Sequence, residues 1–453
     1  MSTPSDPDLS LEEILAARII IFGGGVTGKA LAKYLQDQGN AAALFNDGED
    51  QAILDGEYEM ALVSPGWKKD HFAVQKLRHR GVKLLSELDL AWAIKEANFP
   101  DQKWVAVTGT NGKTTTIQMV ESILTVSDLK GIACGNVGKT VVEALTDGES
   151  YDVLALELSS FQIDWMARPT FLASAVLNIA EDHIDWHGSF AEYANAKMKL
   201  LSRSEQAILN LSDPEVVLRA AQFDMRKIFF GLDTPAPGEI GLVEELFVDR
   251  AFVESADSAE SFAELPDLKP IVPHQALNAM AAAGITLALG ISHAHVRTGL
   301  RAFVPDRHRM EEVLIKDGIT WIDDSKATNP HAAQASLLSH FKIIWIAGGL
   351  AKGATMESLV ENVHDRLASA ILIGQDRELI AAALDRYAPE INYVRVDSPG
   401  SAEGLMDLVV QKAKELATAE SVVLLAPACA SMDQFTSYAH RGDAFATSVK
   451  KWA

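Results

Sequence analysis

The chain has 453 residues, 48% of them hydrophobic, and carries 62 acidic against 40 basic side chains for a net charge of −22. That length suits about three domains of roughly 150 residues, and the charge argues against a nonspecific nucleic-acid binder. Two cysteines, Cys134 and Cys429, exclude a disulfide scaffold and suit a reducing cytosol, while the lack of any apolar run of about 20 residues, or of a basic–apolar opening, leads to the expectation of a cytoplasmic protein without membrane insertion.

The polar start, Met1–Leu11, is expected to be mobile. Residues 18–23 (Arg-Ile-Ile-Ile-Phe-Gly) read as a buried parallel strand, and Gly23-Gly-Gly25-Val26-Thr27-Gly28 opens a helix to about Gln38. A second strand over 41–45 leads to Asn46-Asp47, nineteen residues after Gly28. Strand, G-x-G-x-x-G, helix and a later acid form the dinucleotide-binding fingerprint. One reading is an NAD-dependent dehydrogenase; another is glycines that serve only close strand–helix packing. The unit is short for a dehydrogenase, since a linker follows near Asn98-Phe-Pro-Asp101. A half-size Rossmann-like unit still holds the pyrophosphate of a different nucleotide. Ser64-Pro-Gly66, after the strand 60–63, marks a turn at the carboxyl edge of this sheet, where ligands of such folds lie.

The stretch Trp104–Thr116 organises the rest. A short apolar strand runs to Val107, a tight turn spans Thr108-Gly109-Thr110-Asn111-Gly112, and Lys113, Thr114 and Thr115 open a helix to about Val126. Amides left unpaired at a helix N-terminus face an anion. Lys113 supplies a point charge near the β- and γ-phosphates, and the Thr114 hydroxyl suits Mg²⁺. The loop is shorter than the general phosphate-loop pattern: Val107 stands six residues before the lysine, and Gly109 is the nearest glycine.

Gly135-Asn136-Val-Gly138 reads as a tight turn, in which Asn136 either donates to a phosphate or sugar or is an ordinary turn residue. The strand 151–158 carries Glu157 at its acidic end, a candidate Mg²⁺ ligand beside the phosphate loop, with Ser159, Ser160 and Gln162 after it. The strand 173–177 runs into Asn178-Ile-Ala-Glu-Asp182-His183-Ile-Asp185-Trp-His187, either a site or a polar loop. On the helix expected over 190–201, Lys197 and Lys199 read by default as a solvated face. Residues 231–268 are acidic and irregular, a peripheral hairpin or loop without chemistry. His274 and Asn278 open an Ala-rich buried helix and either face a purine or cap it.

A third unit begins near Phe303-Val-Pro305. Arg307-His308-Arg309 is a dense basic spot that offsets the unfavourable net charge for a phosphorylated substrate. Its strands, over 320–322, 342–347, 370–373 and 421–425, each end in a polar, Gly- or Ser-rich turn before a helix. Loops thus gather on one edge of another α/β unit.

Assembled, these stretches resemble the Mur ligases, ATP-dependent amide-forming enzymes of peptidoglycan precursor synthesis, over the whole chain. The shortened loop Thr108–Thr114 is common to the superfamily, including folylpolyglutamate synthases. Asp323-Asp324-Ser-Lys326-Ala-Thr328-Asn329 and Pro427-Ala-Cys-Ala-Ser431-Met-Asp-Gln-Phe435 are similar to its glutamate-adding branch. Gln275, Ala426 and Leu350-Ala351 depart from the usual residues.

The resemblance implies an α/β fold in three domains: a small Rossmann-like unit over 1–99 for the UDP-substrate, a central phosphate-loop ATPase-like domain over 100–302, and a Rossmann-like C-terminal domain over 303–453 for the amino acid. It implies a monomer whose partners are ATP, UDP-N-acetylmuramoyl-L-alanine and D-glutamate, with an acyl phosphate between them. Gly109–Thr115, Asn278, Arg309 and Asp324 would meet ATP. Gly25, Val26, Thr27, Gly28, Asp47, Ser64, Asn136, Ser159 and Gln162 would meet the UDP-substrate. Lys326, Thr328, Lys352, Ser431 and Tyr438 would hold glutamate. Thr114, Glu157, His183 and Lys197, the last as a carbamate, would bind two Mg²⁺ ions, with Lys113, His183, Lys197 and Lys326 as the catalytic set. An ordinary lysine of pKa about 10.4 is almost wholly charged near pH 7, so a carbamate at Lys197 requires burial or nearby cations.

Overall fold

Gly28 explains how the chain begins to fold. A Cβ there would stand 1.6 Å from the Gly23 carbonyl oxygen, so only glycine lets the helix Val26–Asp37 pack against the strand that feeds it. Ala30, Leu31, Tyr34 and Leu35 recur at helical spacing and are the buried face. Four parallel strands make this first sheet, in the spatial order Ala43–Phe45, Ile19–Phe22, Met60–Val63, Lys83–Ser86. A computed structural model gives the fold and describes residues 9–49 and 51–453. The start expected to be mobile lies outside the described residues as far as Asp8. Leu9 is buried, and Leu11 opens a short helix, Leu11–Ala16, capped by Ser10 and Glu13, so mobility is not what its last residues show.

The second sheet has nine strands. Its order is Glu260–Glu264, Leu246–Asp249, Glu239–Val243, Arg226–Phe230, Ser204–Asn210, Phe171–Val176, Lys103–Thr108, Val153–Glu157, Gly131–Gly135. All neighbours are parallel except the two pairs made by Leu246–Asp249. The stretch 231–268, expected to be a peripheral hairpin or loop, supplies three of these strands, antiparallel neighbours at the sheet edge. Phe247 and Phe262 are buried and join the core formed by the helices Lys113–Val126 and Pro273–Ala288.

Both sheets belong to one compact unit, residues 1–268 with 276–303. The acidic start of the helix Glu87–Asn98 fastens the first sheet to the second. Asp89 Oδ1 accepts from the Ala167 and Arg168 amides at 2.8 Å each, Glu87 accepts from the Val142 amide at 3.1 Å, and Arg168 bonds Glu96 at 2.8 Å.

The other compact unit holds residues 269–275 and 304–453. Its six strands lie in the order Glu311–Lys316, Ile319–Asp323, Val422–Leu425, Ile343–Gly348, Leu367–Ile373, Asn392–Arg395, parallel but for the first pair. Every residue of Ile343–Gly348 is buried, as a strand covered on both faces requires.

Candidate active site

The turn after Lys103–Thr108 is held from three sides. Gly112 has φ +85°, and a Cβ on it would stand 2.5 Å from Asn278 Oδ1, so the Ala-rich helix presses its asparagine on the loop. Asn178 accepts from the Asn111 amide through Oδ1 at 2.8 Å and donates to the Asn111 carbonyl at 3.0 Å. Its own carbonyl accepts from Thr110 N at 2.9 Å. The Thr110 hydroxyl meets Tyr193 Oη at 2.9 Å. Lys113, first residue of the helix Lys113–Val126, bends back to the Gly109 and Thr110 carbonyls at 2.8 and 3.0 Å. Thr114 is partly exposed on the same first turn, and Thr115 is buried behind it.

Lys197 is not on a solvated face. It is 2% exposed, its Nζ donates to the Gly109 carbonyl at 2.8 Å, and it lies 4.7 Å above the Tyr193 ring. Burial drives its pKa well below 10.5 and the Lys113 charge adds to that, while Asp182 and Glu157 partly oppose it. Lys199 is also turned inward: it donates to the Asp164 and Met166 carbonyls at 2.8 and 2.5 Å, and burial brings its pKa to about 8.

Glu157 is 1% exposed. Its Oε1 accepts from the Asn136 amide at 2.9 Å, and its Oε2 is buried without a protein partner. A hard divalent cation seeks such an oxygen, so the residues present fit Mg²⁺. His183 sits at φ +52° in the following loop, its ring 4.8 Å from Phe161 and its Nε2 3.5 Å from Asp182. Among the described residues it has no hydrogen bond or ion pair to Thr114, Glu157 or Lys197. His187 meets Ser160 Oγ at 2.9 Å, and burial lowers its pKa to about 4.

At the carboxyl edge of the first sheet, Gly25 caps the helix, Val26 is 71% exposed, Thr27 follows it, and Ser64 Oγ lies 3.5 Å from the Gly23 carbonyl. Asp47 is exposed, 3.7 Å from His71. Ser159 and Gln162 form a capping box on the helix Ser160–Trp165, which engages the polar groups expected to meet substrate.

In the other unit, Lys326 Nζ lies 3.9 Å from the centroid of the Tyr438 ring, a cation–π contact. Thr328 N bonds the Lys326 carbonyl, Ser431 is buried, and Lys352 is exposed at φ +50°. Asp324 is buried, bonded by Ser336 Oγ and the Met310 amide, and burial raises its pKa to about 6. The basic spot is largely neutralised in place. Arg307 pairs with Asp443 at 2.8 Å, His308 with Asp323 at 2.7 Å, and Arg309 lies 3.9 Å from Asp306. It therefore offsets local carboxylates before any substrate charge. Gln275 turns its amide to the Lys269 carbonyl at 3.4 Å.

Sequence reasoning passed over Arg441. It is fully buried, and its guanidinium donates to Ser325 Oγ, the Ser325 carbonyl and the Cys429 carbonyl at 3.0–3.1 Å, with the Gly348 carbonyl at 3.5 Å. It joins three strand-end loops, and three residues after Tyr438 nothing in the pattern marks it out. Asn178 and Tyr193 were missed as loop-holding residues; the position of Asn178 at a strand tip was the available signal.

A largely parallel α/β sheet with a glycine-turned loop at a helix start, a buried carboxylate oxygen and a buried amine beside it has the layout of an enzyme that handles nucleotide phosphate. The Mur ligase middle-domain profile matches residues 107–286, and the profile for the Mur ligase glutamate ligase domain matches residues 308–429. A protein of Streptomyces coelicolor named UDP-N-acetylmuramoylalanine--D-glutamate ligase is 44% identical over 467 residues, covering 97% of this chain and 99% of that protein. One of the same name from Thermobifida fusca is 40% identical, covering 97% and 100%. The solved pseudomurein peptide ligase type C of Methanothermus fervidus shares the fold at TM-score 0.60 and 17% identity, covering 91% of this chain and 97% of that one. The UDP-N-acetylmuramate-alanine ligase of Thermotoga maritima does so at 0.56 and 16%, covering 96% and 99%. The chain belongs to the Mur ligase family and is an ADP-forming acid–amino-acid ligase.

Proposed function

We propose that the chain joins D-glutamate to UDP-N-acetylmuramoyl-L-alanine at the expense of ATP, in peptidoglycan precursor synthesis in the cytoplasm, acting as a monomer. The observation that carries this reading is the convergence of the Lys113 and Lys197 amines on the Gly109 carbonyl, with Glu157 paired to Val107 on the adjacent strand end. The three sheets would serve as three domains: 1–99 for the UDP-substrate, 100–302 for ATP and 303–453 for glutamate.

In this reading ATP phosphorylates the alanyl carboxylate, and the glutamate amine attacks the acyl phosphate. The chemistry is mostly positioning and charge neutralisation. Gly109–Thr115 cradle the phosphates, with Asn278, Arg309 and Asp324 as further ATP positions. Lys113 would leave its own loop carbonyls for the phosphate oxygens. Two Mg²⁺ ions would be held by Thr114, Glu157, His183 and carbamylated Lys197, and would neutralise charge on the transferring phosphoryl group. Lys197 suits carbamylation because its depressed pKa favours the neutral amine, and the carbamate would turn a repelled cation into an anionic ligand. Gly25–Gly28, Asp47 and Ser64 line the edge where the UDP moiety would bind. Lys326, Thr328, Lys352, Ser431 and Tyr438 would answer the two carboxylates of glutamate with cations and hydroxyls.

The test is ADP release from ATP and Mg²⁺ with UDP-N-acetylmuramoyl-L-alanine, comparing D-glutamate, L-glutamate and no amino acid. Release that needs D-glutamate, with the dipeptidyl product seen by mass, is expected. Release that needs L-glutamate would move the reading to an L-specific ligase, and none with either would remove the muramoyl substrate.

A further inference from the structure

Asn136, expected to meet the UDP-substrate, also gives an amide hydrogen to Glu157. The strands Gly131–Gly135 and Val153–Glu157 pair in parallel with Gly135 opposite Glu157. Gly135 has φ +108°, and a Cβ on it would stand 2.6 Å from the Glu157 carbonyl oxygen, so glycine is required for the two strand ends to approach this closely. The next amide, Asn136 N, donates to the Glu157 carbonyl at 2.9 Å, and Gly135 N closes the turn on the Lys139 carbonyl at 2.8 Å. Asn136 is exposed, but its Nδ2 reaches inward to Glu157 Oε1 at 2.9 Å. Backbone and side chain of one residue thus grip one glutamate at both ends.

The consequence lies in the other oxygen. The terminal torsion of a glutamate is broad and nearly two-fold, so an untied carboxylate turns easily. With Oε1 bonded to Asn136, Oε2 is set in one direction, buried and without a protein partner. We infer that Asn136 is a positioning residue that acts through Glu157, presenting a single carboxylate oxygen to a divalent cation. Outer partners of this kind orient metal ligands and tune their affinity. The inference rests on the ligase reading only for the presence of a cation at Glu157; the residue's part in it comes from the contacts above.

The test titrates Mn²⁺ into the full chain with ADP present and follows free Mn²⁺ by electron paramagnetic resonance, for wild type, N136A and N136S. Binding of ADP without metal is measured in parallel by calorimetry, and thermal melts report folding of each variant. Loss of the amide is expected to weaken Mn²⁺ by about 10- to 100-fold and to leave metal-free binding of ADP, whose proposed contacts are other residues, unchanged. Unaltered Mn²⁺ affinity in both variants overturns the inference, and so does equal weakening of both ligands, which would mean a loosened turn. Wild type that takes up no Mn²⁺ with ADP overturns the metal reading itself, which separates the two failures.

Discussion

Lys113 and Lys197 point their ammonium nitrogens at the same acceptor, the Gly109 carbonyl, each at 2.8 Å. Two cations on one oxygen, one of them buried, is an unfavourable arrangement in a low dielectric. Loss of the Lys197 proton relieves the strain, and its pKa is driven well below 10.5 by burial and then by Lys113. In the proposed reading, the loop that would bind phosphate thereby also prepares the amine that would react with carbon dioxide.

This arrangement sets the behaviour of Lys197 variants. K197A is expected to lose nearly all ligase activity, and short-chain carboxylic acids are expected to restore part of it by supplying the missing carboxylate. Mass spectrometry of trapped protein would show a carbamate on wild type. K113A removes the like charge, so the Lys197 pKa should rise and carbamate occupancy at neutral pH should fall. Occupancy unchanged in K113A would show that burial alone prepares the amine.

The same residue makes a claim about stability. With the folded pKa below the unfolded one, the unfolded chain binds the extra proton in the pH range between the two values, and stability rises with pH there. The cost of neutral Lys197 is absent above about 10.4 and grows as pH falls through that window. K197M removes the titration. It should melt higher than carbon-dioxide-depleted wild type at pH 7, with the gap narrowing as pH approaches 10. A gap of constant size from pH 7 to 10 would show that Lys197 stays charged when folded.

Glu87 gives the opposite slope. Its carboxyl is buried against the helix Val141–Thr146 and its pKa is raised from 4.5 to about 7, burial outweighing the Val142 and Val141 amide bonds. The folded state holds the proton longer than the unfolded state. The stability it contributes is therefore full below about 4.3 and lost as pH rises through 7. E87Q keeps an acceptor for Val142 and cannot ionise. Denaturant midpoints at pH 5 and pH 8 should show E87Q gaining on wild type by on the order of 3 kcal/mol at the higher pH. Parallel midpoints would mean that the carboxylate is ionised throughout.

The phosphate loop was legible because its chemistry demands fixed residue types at fixed spacing: Gly112 for a left-handed turn, then Lys113 and Thr114 on a helix start. The first parallel strands were legible as apolar runs closed by glycine. Lys197 was not, since a helix reading Phe190-Ala-Glu-Tyr-Ala-Asn-Ala-Lys197 has no periodicity strong enough to say which face is covered. The strands of 239–264 were legible only as one of two alternatives, hairpin or loop, because Pro, Gly and acidic residues dominate there and only a few buried aromatics, such as Phe247 and Phe262, mark the inner face. Pairings distant in sequence, such as Asn278 on Gly112 or Arg307 on Asp443, leave no local trace at all.

Gly112 ties the loop to its helix in a way a single methyl group tests. A left-handed conformation costs an L-residue roughly 1–2 kcal/mol, and here the new Cβ would also stand 2.5 Å from Asn278 Oδ1. G112A should fold, with a lower melting temperature, and should fail to bind ATP in calorimetry. G112A/N278A removes the clash and leaves the backbone cost, so part of the stability should return while ATP binding stays weak. Full ATP affinity in G112A would mean that the loop is not the phosphate cradle.

Arg441 is the buried cation whose partners are carbonyls and a hydroxyl. Burial lowers its pKa to about 10 against the ordinary 12.5, so it remains charged at neutral pH. Its fork spans the loops at Ser325 and Cys429 and reaches toward Gly348, and those loops carry Lys326, Ser431 and, further on, Lys352. Lysine keeps the charge but cannot bridge these acceptors with a planar fork. Each charge-assisted hydrogen bond lost is worth roughly 1.5–3 kcal/mol. R441K should therefore raise the KM for glutamate by about ten-fold or more, with the KM for ATP little changed. Were both constants to rise together, Arg441 would be holding the unit as a whole. Were neither to move, the three loops would keep their positions without it.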